Sequence, residues 1–211
     1  MISIRTVNDI SHYCRLLSNL SLYQKKNMKI LIVYGTTEGQ TRKIARYMED
    51  VLQDAGHKVT IADATDEPPA PGDYDAILIG GSIHVHKYQS AVTHYITTHI
   101  SALNKMPGAF FSVCLAVASD MEEEHREAEK ITSDFLEQTG WKPLLTTQIA
   151  GALKYTQYDF FKRLIMKMIA KREGRTTDTS QDYEYTNWDA VKKFAVGFAE
   201  KVSVELVSAL R

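Results

Sequence analysis

Residues 29–41 read KILIVYGTTEGQT and combine two signals that together decide the fold. The first six residues form a short β-branched apolar run, which is typical of a strand buried on both faces. The rest is a turn rich in threonine and glycine that leads into a helical pattern from Thr41 to Ala55, closed by Gly56. A strand, a turn and a helix in this order indicate the first unit of an α/β sheet.

The same alternation of strand and helix continues along the chain. Short apolar runs predict four more strands, and segments with a helical period predict the helices between them. The predicted strands are Val59–Ala62, Ala76–Gly80, Ala109–Leu115 and Leu144–Ala150, and the predicted helices are Gln89–Leu103, Met121–Thr139 and one beginning near Trp188. Because parallel crossovers are right-handed, five such strands predict a doubly wound parallel sheet with helices on both faces.

Composition restricts the class of protein. The chain has 211 residues, 44% apolar and 24% charged, which describes one globular domain with a sizeable core. Its formal charge of -1 offers no overall attraction to nucleic acid, so no nucleic-acid partner is expected. No apolar run reaches the length of about 18 residues that a membrane span needs. With only Cys14 and Cys114, no disulfide framework is expected, and we predict a reducing compartment, the cytoplasm.

The residues before the first strand have a different character. Residues 1–27 carry four basic side chains against the single acid Asp9, with apolar residues at roughly helical spacing. They lack the continuous apolar stretch of a secretory signal. We interpret residues 1–27 as an extension, disordered or helical, ahead of a domain at 28–206, with Met28 as a second possible start.

The turn after the first strand is a candidate anion site. A helix start presents unpaired N–H groups, glycines let the backbone approach an oxygen, and threonine hydroxyls add donors. No lysine follows, as a nucleoside-triphosphate loop requires, and the dinucleotide pattern Gly-x-Gly-x-x-Gly is absent. What remains suits a single phosphate monoester, the alternative being a turn that only caps the helix. The candidate phosphate ligands are Thr36, Thr37, Glu38, Gly39, Gln40 and Thr41.

Two further loops are expected beside this turn. In a sheet of order 2-1-3-4-5 the ligand crevice lies at the carboxyl ends of the first and third strands. The third strand leads into GGSIHVHKY at residues 80–88, and the fourth into CLAVAS at residues 114–119. A flat aromatic cofactor with one phosphate would place its ring between these loops. The candidate ring contacts are Ser82, Ile83, His84, Val85, Tyr88, Cys114, Leu115, Ala116 and Val117.

These motifs carry a resemblance to a known family. The turn at 36–41 resembles the FMN-phosphate loop of flavodoxins, and residues 29 to about 200 resemble the menaquinone-dependent, flavodoxin-like protoporphyrinogen oxidases of bacterial haem biosynthesis. The segments that carry the second resemblance are GGSI at 80–83 with Tyr88, Ser90 and Ala91, MPGAFFSV at 106–113, IAGALKY at 149–155, TDT at 177–179 and YTNW at 185–188. In that family an arginine and an aromatic residue follow Ser-Ile, whereas His84 and Val85 stand here. Tyr88 is therefore the remaining aromatic candidate for stacking on the ring, and simple packing is its alternative role.

The resemblance implies both a fold and a reaction. The fold is a flavodoxin-like sheet of order 2-1-3-4-5, the cofactor is FMN, and the partners are a porphyrinogen substrate and a membrane quinone. The protein would oxidise protoporphyrinogen IX to protoporphyrin IX, as a monomer or a homo-oligomer. A flavodoxin-like electron carrier and an NAD(P)H-quinone reductase are the alternatives. Such carriers tend to be strongly acidic, and the net charge of only -4 from Met28 onward argues against one.

The stretch between the last strand and the last helix, residues 153–187, is too long for a simple connection. Asp159 to Lys171 has a helical period with an apolar face and a largely basic opposite face. Such a helix can lie in a membrane interface, or it can pack on the sheet or on a second subunit. Its cations would also suit the propionates of a porphyrin. The candidate substrate or membrane residues are Phe160, Phe161, Lys162, Arg163, Leu164, Lys167 and Met168, and we predict peripheral association with the inner face of the cell membrane.

No metal site is expected. His84 and His86 form a His-x-His pair at a strand exit, but no matching thiolate or carboxylate set follows at metal-ligand spacing. Cys114 is interpreted as a small residue that fills a strand end. No general base is predicted.

Overall fold

The computed structural model describes residues 27–153 and 183–208, and its centre is a five-stranded parallel sheet. The strand order is β2-β1-β3-β4-β5, which confirms the predicted fold class. The strands are β1 (Lys29–Gly35), β2 (Lys58–Asp63), β3 (Ala76–Ser82), β4 (Gly108–Cys114) and β5 (Leu145–Ala150). Each lies within two residues of its predicted bounds.

Helices cover both faces of this sheet. The α-helices in the described residues are α1 (Gln40–Asp54), α2 (Ser90–Leu103), α3 (Glu122–Thr139) and α4 (Trp188–Ser208). Apolar residues of α1 and α4 share one core with the sheet, and those of α2 and α3 share a second core on the opposite face. The helix after the last strand begins at Trp188, as its sequence pattern predicts. None of the described helices is long and apolar enough to cross a membrane.

The apolar run of β1 explains why this strand lies at the centre. Ile30 and Ile32 belong to the core under α1 and α4, whereas Leu31 and Val33 belong to the core under α2 and α3. All four side chains are fully buried, and burying each contributes about 2 kcal/mol to folding. A strand with apolar residues at every position therefore needs helices on both sides.

A second, very short ladder follows the end of β5. Strand β6 (Ala152–Leu153) pairs antiparallel with β7 (Tyr183–Glu184), and Leu153 lies opposite Tyr183. Residues 154–182 fall outside the described part of the chain. Because Leu153 and Tyr183 are paired, that stretch leaves and rejoins the domain at one place, next to the carboxyl end of β5.

Candidate cofactor-binding site

Three loops at the carboxyl edge of the sheet, together with the chain after β5, enclose an open cleft. The cleft lies beside β1 and β3, where the direction of winding reverses, and this is the general ligand position in such sheets. Its lining residues are Thr36, Thr37, Glu38, Gln40, Thr41, Ser82, Ile83, His84, Val113, Cys114, Leu115, Gly151 and Ala152. The structure thus brings together most of the residues that the sequence nominates from three separate loops.

The turn between β1 and α1 is built to receive an anion. Gly39 precedes the helix with a φ of 87°, and its N–H donates to Thr36 Oγ1 at 2.8 Å, which folds the turn back on itself. Within residues 27–153 and 183–208 no side chain caps the first turn of α1, so its leading N–H groups have no partner of that kind there. Together with the positive end of the helix dipole, they suit a phosphate group.

Thr41 supplies the most direct test of fit. The residue is fully buried and lines the cleft, yet its hydroxyl has no hydrogen-bond partner among the described residues. Leaving a buried hydroxyl unsatisfied costs about 1–3 kcal/mol, so such a group calls for an acceptor from a ligand or water. A phosphate oxygen in the cleft would accept this hydrogen bond, and the residues present therefore fit the phosphate end of FMN.

Glu38 sets an acid beside that anion site. Its Oε1 lies 3.9 Å from His84 Nδ1, across the cleft from the third-strand loop. A carboxylate at this position repels a phosphate. His84 sets a polar side chain of the loop after β3 beside this carboxylate.

Cys114 contributes a neutral thiol to the cleft. Burial raises the pKa of this thiol, and hydrogen bonds from the N–H groups of Ala116 and Val117 lower it by a smaller amount. The net effect keeps sulfur protonated at neutral pH, which agrees with the interpretation of Cys114 as a small filling residue rather than a nucleophile.

Tyr88 does not reach the cleft, which corrects its proposed role as the ring-stacking residue. Its ring packs in the core, with centroids 4.5 Å from Phe135 and 5.2 Å from Phe110. The hydroxyl donates to Ser112 Oγ at 2.8 Å and lies 2.7 Å from Thr132 Oγ1. Burial raises the pKa of Tyr88 to about 12. The structure therefore supports the alternative, a packing role.

Four other residues predicted to contact the cofactor do not line the cleft. Gly39 shapes the phosphate turn through its backbone, and Ala116 lies in the short 3-10 turn Leu115–Ala118. Val117 lines a separate cavity against α4 instead. Val85 is 62% exposed, since it sits at the tip of a tight turn closed by backbone hydrogen bonds between His84 and Lys87.

Sequence reasoning also missed residues that form the cleft. Gly151 and Ala152 line it because they follow β5 at the same edge of the sheet, and that rule could have identified them. Thr186 ties this side to the phosphate turn: Gln40 Nε2 donates to Thr186 Oγ1 at 2.9 Å, and that hydroxyl donates to the carbonyl of Ala150 at 2.8 Å. The candidate substrate or membrane residues Phe160, Phe161, Lys162, Arg163, Leu164, Lys167 and Met168 lie outside the described residues.

A doubly wound sheet with a hydroxyl-lined anion turn after its first strand defines the flavodoxin-like class of proteins. The family model described as a flavodoxin domain matches residues 31–180. The protoporphyrinogen IX dehydrogenase [quinone] of Escherichia coli strain K12 is 38% identical over 169 residues, which cover 80% of this chain and 93% of that protein. The protein of the same name from Leishmania major is 37% identical over 175 residues, covering 81% and 74%. The chain therefore belongs to the flavodoxin-like protoporphyrinogen IX dehydrogenase family.

A solved structure extends the agreement in fold. The rubredoxin oxygen:oxidoreductase of Desulfovibrio gigas matches with a TM-score of 0.50 and 14% sequence identity, over 89% of this chain and 39% of that one. At this identity the similarity concerns the fold alone.

Proposed function

We propose that this protein is an FMN-dependent oxidoreductase that oxidises protoporphyrinogen IX to protoporphyrin IX in successive two-electron steps and passes each pair of electrons to a quinone. One observation carries the proposal: 38% identity to the Escherichia coli dehydrogenase across 93% of its length. A flavodoxin-like carrier without its own substrate is less well supported, since relatives over most of this chain are named as dehydrogenases.

The phosphate end of FMN would be held by the turn at 36–41. Thr41 would donate its hydroxyl hydrogen to a phosphate oxygen, and the leading N–H groups of α1 would contribute further donors. Thr37 adds a hydroxyl at the cleft surface. These groups are already in place, so little ordering is needed when the phosphate binds.

The ring end would lie between the loops after β3, β4 and β5. Bound flavin supplies the two-electron chemistry. Around it, Ile83 and Leu115 give apolar contacts, Ser82 a hydroxyl, and Cys114 a protonated thiol. The protein's part is to orient the ring and restrict water around it, and no side chain is assigned as a general base.

A spectroscopic experiment tests this function. The purified protein should be yellow, with the absorbance of oxidised flavin, and anaerobic protoporphyrinogen IX should bleach it. A quinone should then restore the colour, whereas NADPH should fail to replace protoporphyrinogen as reductant. A colourless protein that ignores added FMN, or one reduced only by NADPH, would contradict the proposal.

We also propose that the insert at 153–187 contacts the inner face of the cell membrane, with the protein otherwise in the cytoplasm. Support comes from the basic amphipathic pattern of Asp159 to Lys171. Both attachment points of the undescribed stretch lie beside the cleft, because β6 pairs with β7 and Ala152 lines the cleft. The insert is therefore joined to the domain beside the site proposed for the ring.

A loop replacement tests the role of the insert. Replacing residues 154–182 by Asn-Gly joins Leu153 to Tyr183 through a two-residue hairpin turn, which their antiparallel pairing allows. We expect FMN binding to persist, whereas sedimentation with anionic vesicles and turnover of a membrane quinone are lost. A full-length control, Lys162→Gln/Lys167→Gln, should weaken sedimentation only in part. Unchanged sedimentation of the loop replacement would refute the membrane role.

The domain limits remain a proposal as well. We propose that residues 28–206 form the FMN-binding domain, since Met28 is fully buried in the core beneath α4. A chain that starts at Met28 should bind FMN with unchanged affinity and melt at the same temperature. A large loss of either property would assign residues 1–27 to the folded domain.

A further inference from the structure

Gln89 links the phosphate turn to the loop after β3. It stands directly before α2, where its carbonyl accepts hydrogen bonds from the N–H groups of Val92 (3.1 Å) and Thr93 (3.2 Å). Its side-chain Nε2 donates to Thr37 Oγ1 at 3.0 Å and to Ser82 Oγ at 2.5 Å. One amide group, anchored on a helix end, thus holds hydroxyls from two different loops of the cleft.

Two glycines provide the space for this side chain. Gly35 is the last residue of β1, Gly81 is the second-to-last residue of β3, and the two lie opposite each other in the sheet. A Cβ atom at Gly35 would lie 2.4 Å from Val92 Cγ2 and 3.0 Å from Gln89 Oε1. A Cβ atom at Gly81 would lie 2.8 Å from the Tyr88 ring and 3.6 Å from the same Gln89 oxygen. Paired glycines at the reversal point of the sheet therefore leave the slot in which the amide lies.

The direction of these hydrogen bonds determines what the hydroxyls can do. A threonine or serine hydroxyl has one hydrogen, and here each oxygen is already an acceptor from Gln89. Its own hydrogen must therefore be donated to another group, and both residues line the cleft. A hydroxyl that accepts a hydrogen bond also becomes a stronger donor, because chains of hydrogen bonds polarise one another.

We propose that Gln89 is a positioning residue for the flavin: it holds the Thr37 and Ser82 hydroxyls as donors into the cleft and fixes the separation of the two loops. The inference rests on the proposed binding of FMN. Gln89 itself does not line the cleft and acts through the two hydroxyls. Its own Oε1 is buried and accepts no hydrogen bond from the described residues, so within that part of the chain this amide is held by the two hydrogen bonds that Nε2 donates.

The experiment measures the Kd of the apoprotein for FMN by quenching of flavin fluorescence, with the melting temperature of each apoprotein recorded in parallel. In the wild-type background, Gln89→Met should raise the Kd about 10- to 100-fold. In a Thr37→Val/Ser82→Ala background the same substitution should change the Kd less than twofold, because the groups through which Gln89 acts are absent.

Gln148→Met is a matched control. Gln148 also donates from Nε2 to a threonine hydroxyl, Thr132 Oγ1 at 2.6 Å, and its Oε1 is likewise buried without a partner in the described chain. It does not line the flavin cleft. We expect this variant to lower the melting temperature about as much as Gln89→Met while leaving the Kd for FMN unchanged.

Two results would overturn the inference. An equal rise in Kd in both backgrounds would make Gln89 a support of the fold only, and an unchanged Kd in the wild-type background would remove its role. Gln89→Glu tests the direction of the hydrogen bonds, because an ionised carboxylate accepts hydrogen bonds and cannot donate them. Its affinity for riboflavin, which lacks the phosphate charge, should be lower than that of the wild type. An unchanged affinity for riboflavin would mean that Gln89 accepts the hydroxyl hydrogens, and would overturn the proposed direction. If wild-type protein binds no FMN at all, the proposed function fails instead.

Discussion

The turns that follow β1 and β3 stand side by side in the cleft but are built in opposite ways. The phosphate turn, residues 36–41, reaches a positive φ at a glycine, Gly39, and presents a buried hydroxyl at Thr41 that has no partner in the described part of the chain. The ring loop, residues 82–88, reaches a positive φ at Val85 (49°) and His86 (61°) and satisfies its own backbone through two hydrogen bonds between His84 and Lys87. The first turn is prepared for a ligand, whereas the second is closed on itself.

This difference predicts that the two turns contribute unequally to the affinity for FMN. Donors that are already oriented and unsatisfied bind an anion without rearrangement, so the phosphate turn should supply most of the affinity for FMN. The ring loop has closed its turn with backbone hydrogen bonds and carries backbone strain, since a β-branched residue at positive φ is disfavoured. We therefore expect riboflavin, which lacks the phosphate, to bind much more weakly than FMN.

The largest effect is expected at Thr41. Thr41→Glu places a carboxylate where the phosphate should bind, and repulsion between the charges should lower FMN affinity by a factor of about 1,000 or more. Thr41→Val keeps the shape and removes the hydroxyl, so a loss of about 10- to 100-fold is expected. Fluorescence titration measures both, with Thr139→Val, in a buried helical site away from the cleft, as control. A Thr41→Glu variant that purifies yellow would contradict the assignment of this turn.

The next largest effect is expected at Tyr88, whose buried side chain holds the end of the ring loop in the core. Tyr88→Phe leaves Ser112 and Thr132 without the phenol, and the free energy of unfolding at pH 8 should fall by about 1–3 kcal/mol. Urea denaturation of the apoprotein measures this loss. The exposed Tyr185→Phe serves as control and should change little.

The same variant tests the pKa of Tyr88. Burial raises this pKa from 10.0 to about 12, so the unfolded chain loses the proton first. The contribution to stability is complete below pH 10 and declines as pH rises through 12, by about 2–3 kcal/mol. Wild-type protein should therefore lose more stability than Tyr88→Phe between pH 10 and 12. If wild-type protein and Tyr88→Phe lost the same free energy of unfolding between pH 10 and 12, burial of the Tyr88 phenol would be refuted.

A smaller effect on the free energy of unfolding is expected from substitutions at the positive-φ residues of the two turns. Val85→Gly relieves a positive φ at an exposed residue and should raise the free energy of unfolding by about 1 kcal/mol, after the entropy of glycine is subtracted. Gly39→Ala introduces a side chain at φ 87° and should lower it by a similar amount. Chemical denaturation of the two apoproteins checks the signs. Changes in the same direction would show that the two turns are not opposite in strain.

The smallest effect is expected at the contact between a histidine of the ring loop and a carboxylate of α3. His86 Nδ1 lies 3.2 Å from Glu127 Oε1, but both side chains are more than half exposed. Exposed pairs contribute little, so Glu127→Gln should change the free energy of unfolding by less than about 0.5 kcal/mol. A loss above 1 kcal/mol in the same denaturation assay would mean that this pair, rather than Tyr88, anchors the loop.

The sequence predicts the sheet well because a strand that is buried on both faces needs apolar residues at successive positions. The run in β1 is apolar at each position from Ile30 to Val33, so it has no polar face that would indicate an amphipathic helix or a half-exposed strand. The position of the cleft also follows from sequence, since the carboxyl ends of parallel strands lie at one edge. Side-chain direction at the ring loop does not follow. Tyr88 enters the core because Phe135, from the distant helix α3, is packed there.

The role of Gln89 was equally hidden from sequence reasoning. It depends on Gly35 and Gly81 lying opposite each other, and that pairing is a property of the strand register. Adjacent glycines at the end of a predicted strand could have signalled a close approach. Which side chain fills the space becomes visible only when the helix start of α2 is placed.

The short ladder of β6 and β7 bears on how this family can diversify. Since Ala152 lies opposite Glu184, the excursion of the chain between them starts and ends at one place on the domain, and the entropic cost of closing such a loop grows slowly with its length. Mutation can therefore lengthen, shorten or recompose that excursion while the inherited sheet and its phosphate turn stay as they are. Natural selection can in this way adapt the surface next to the cleft independently of the groups that hold the cofactor.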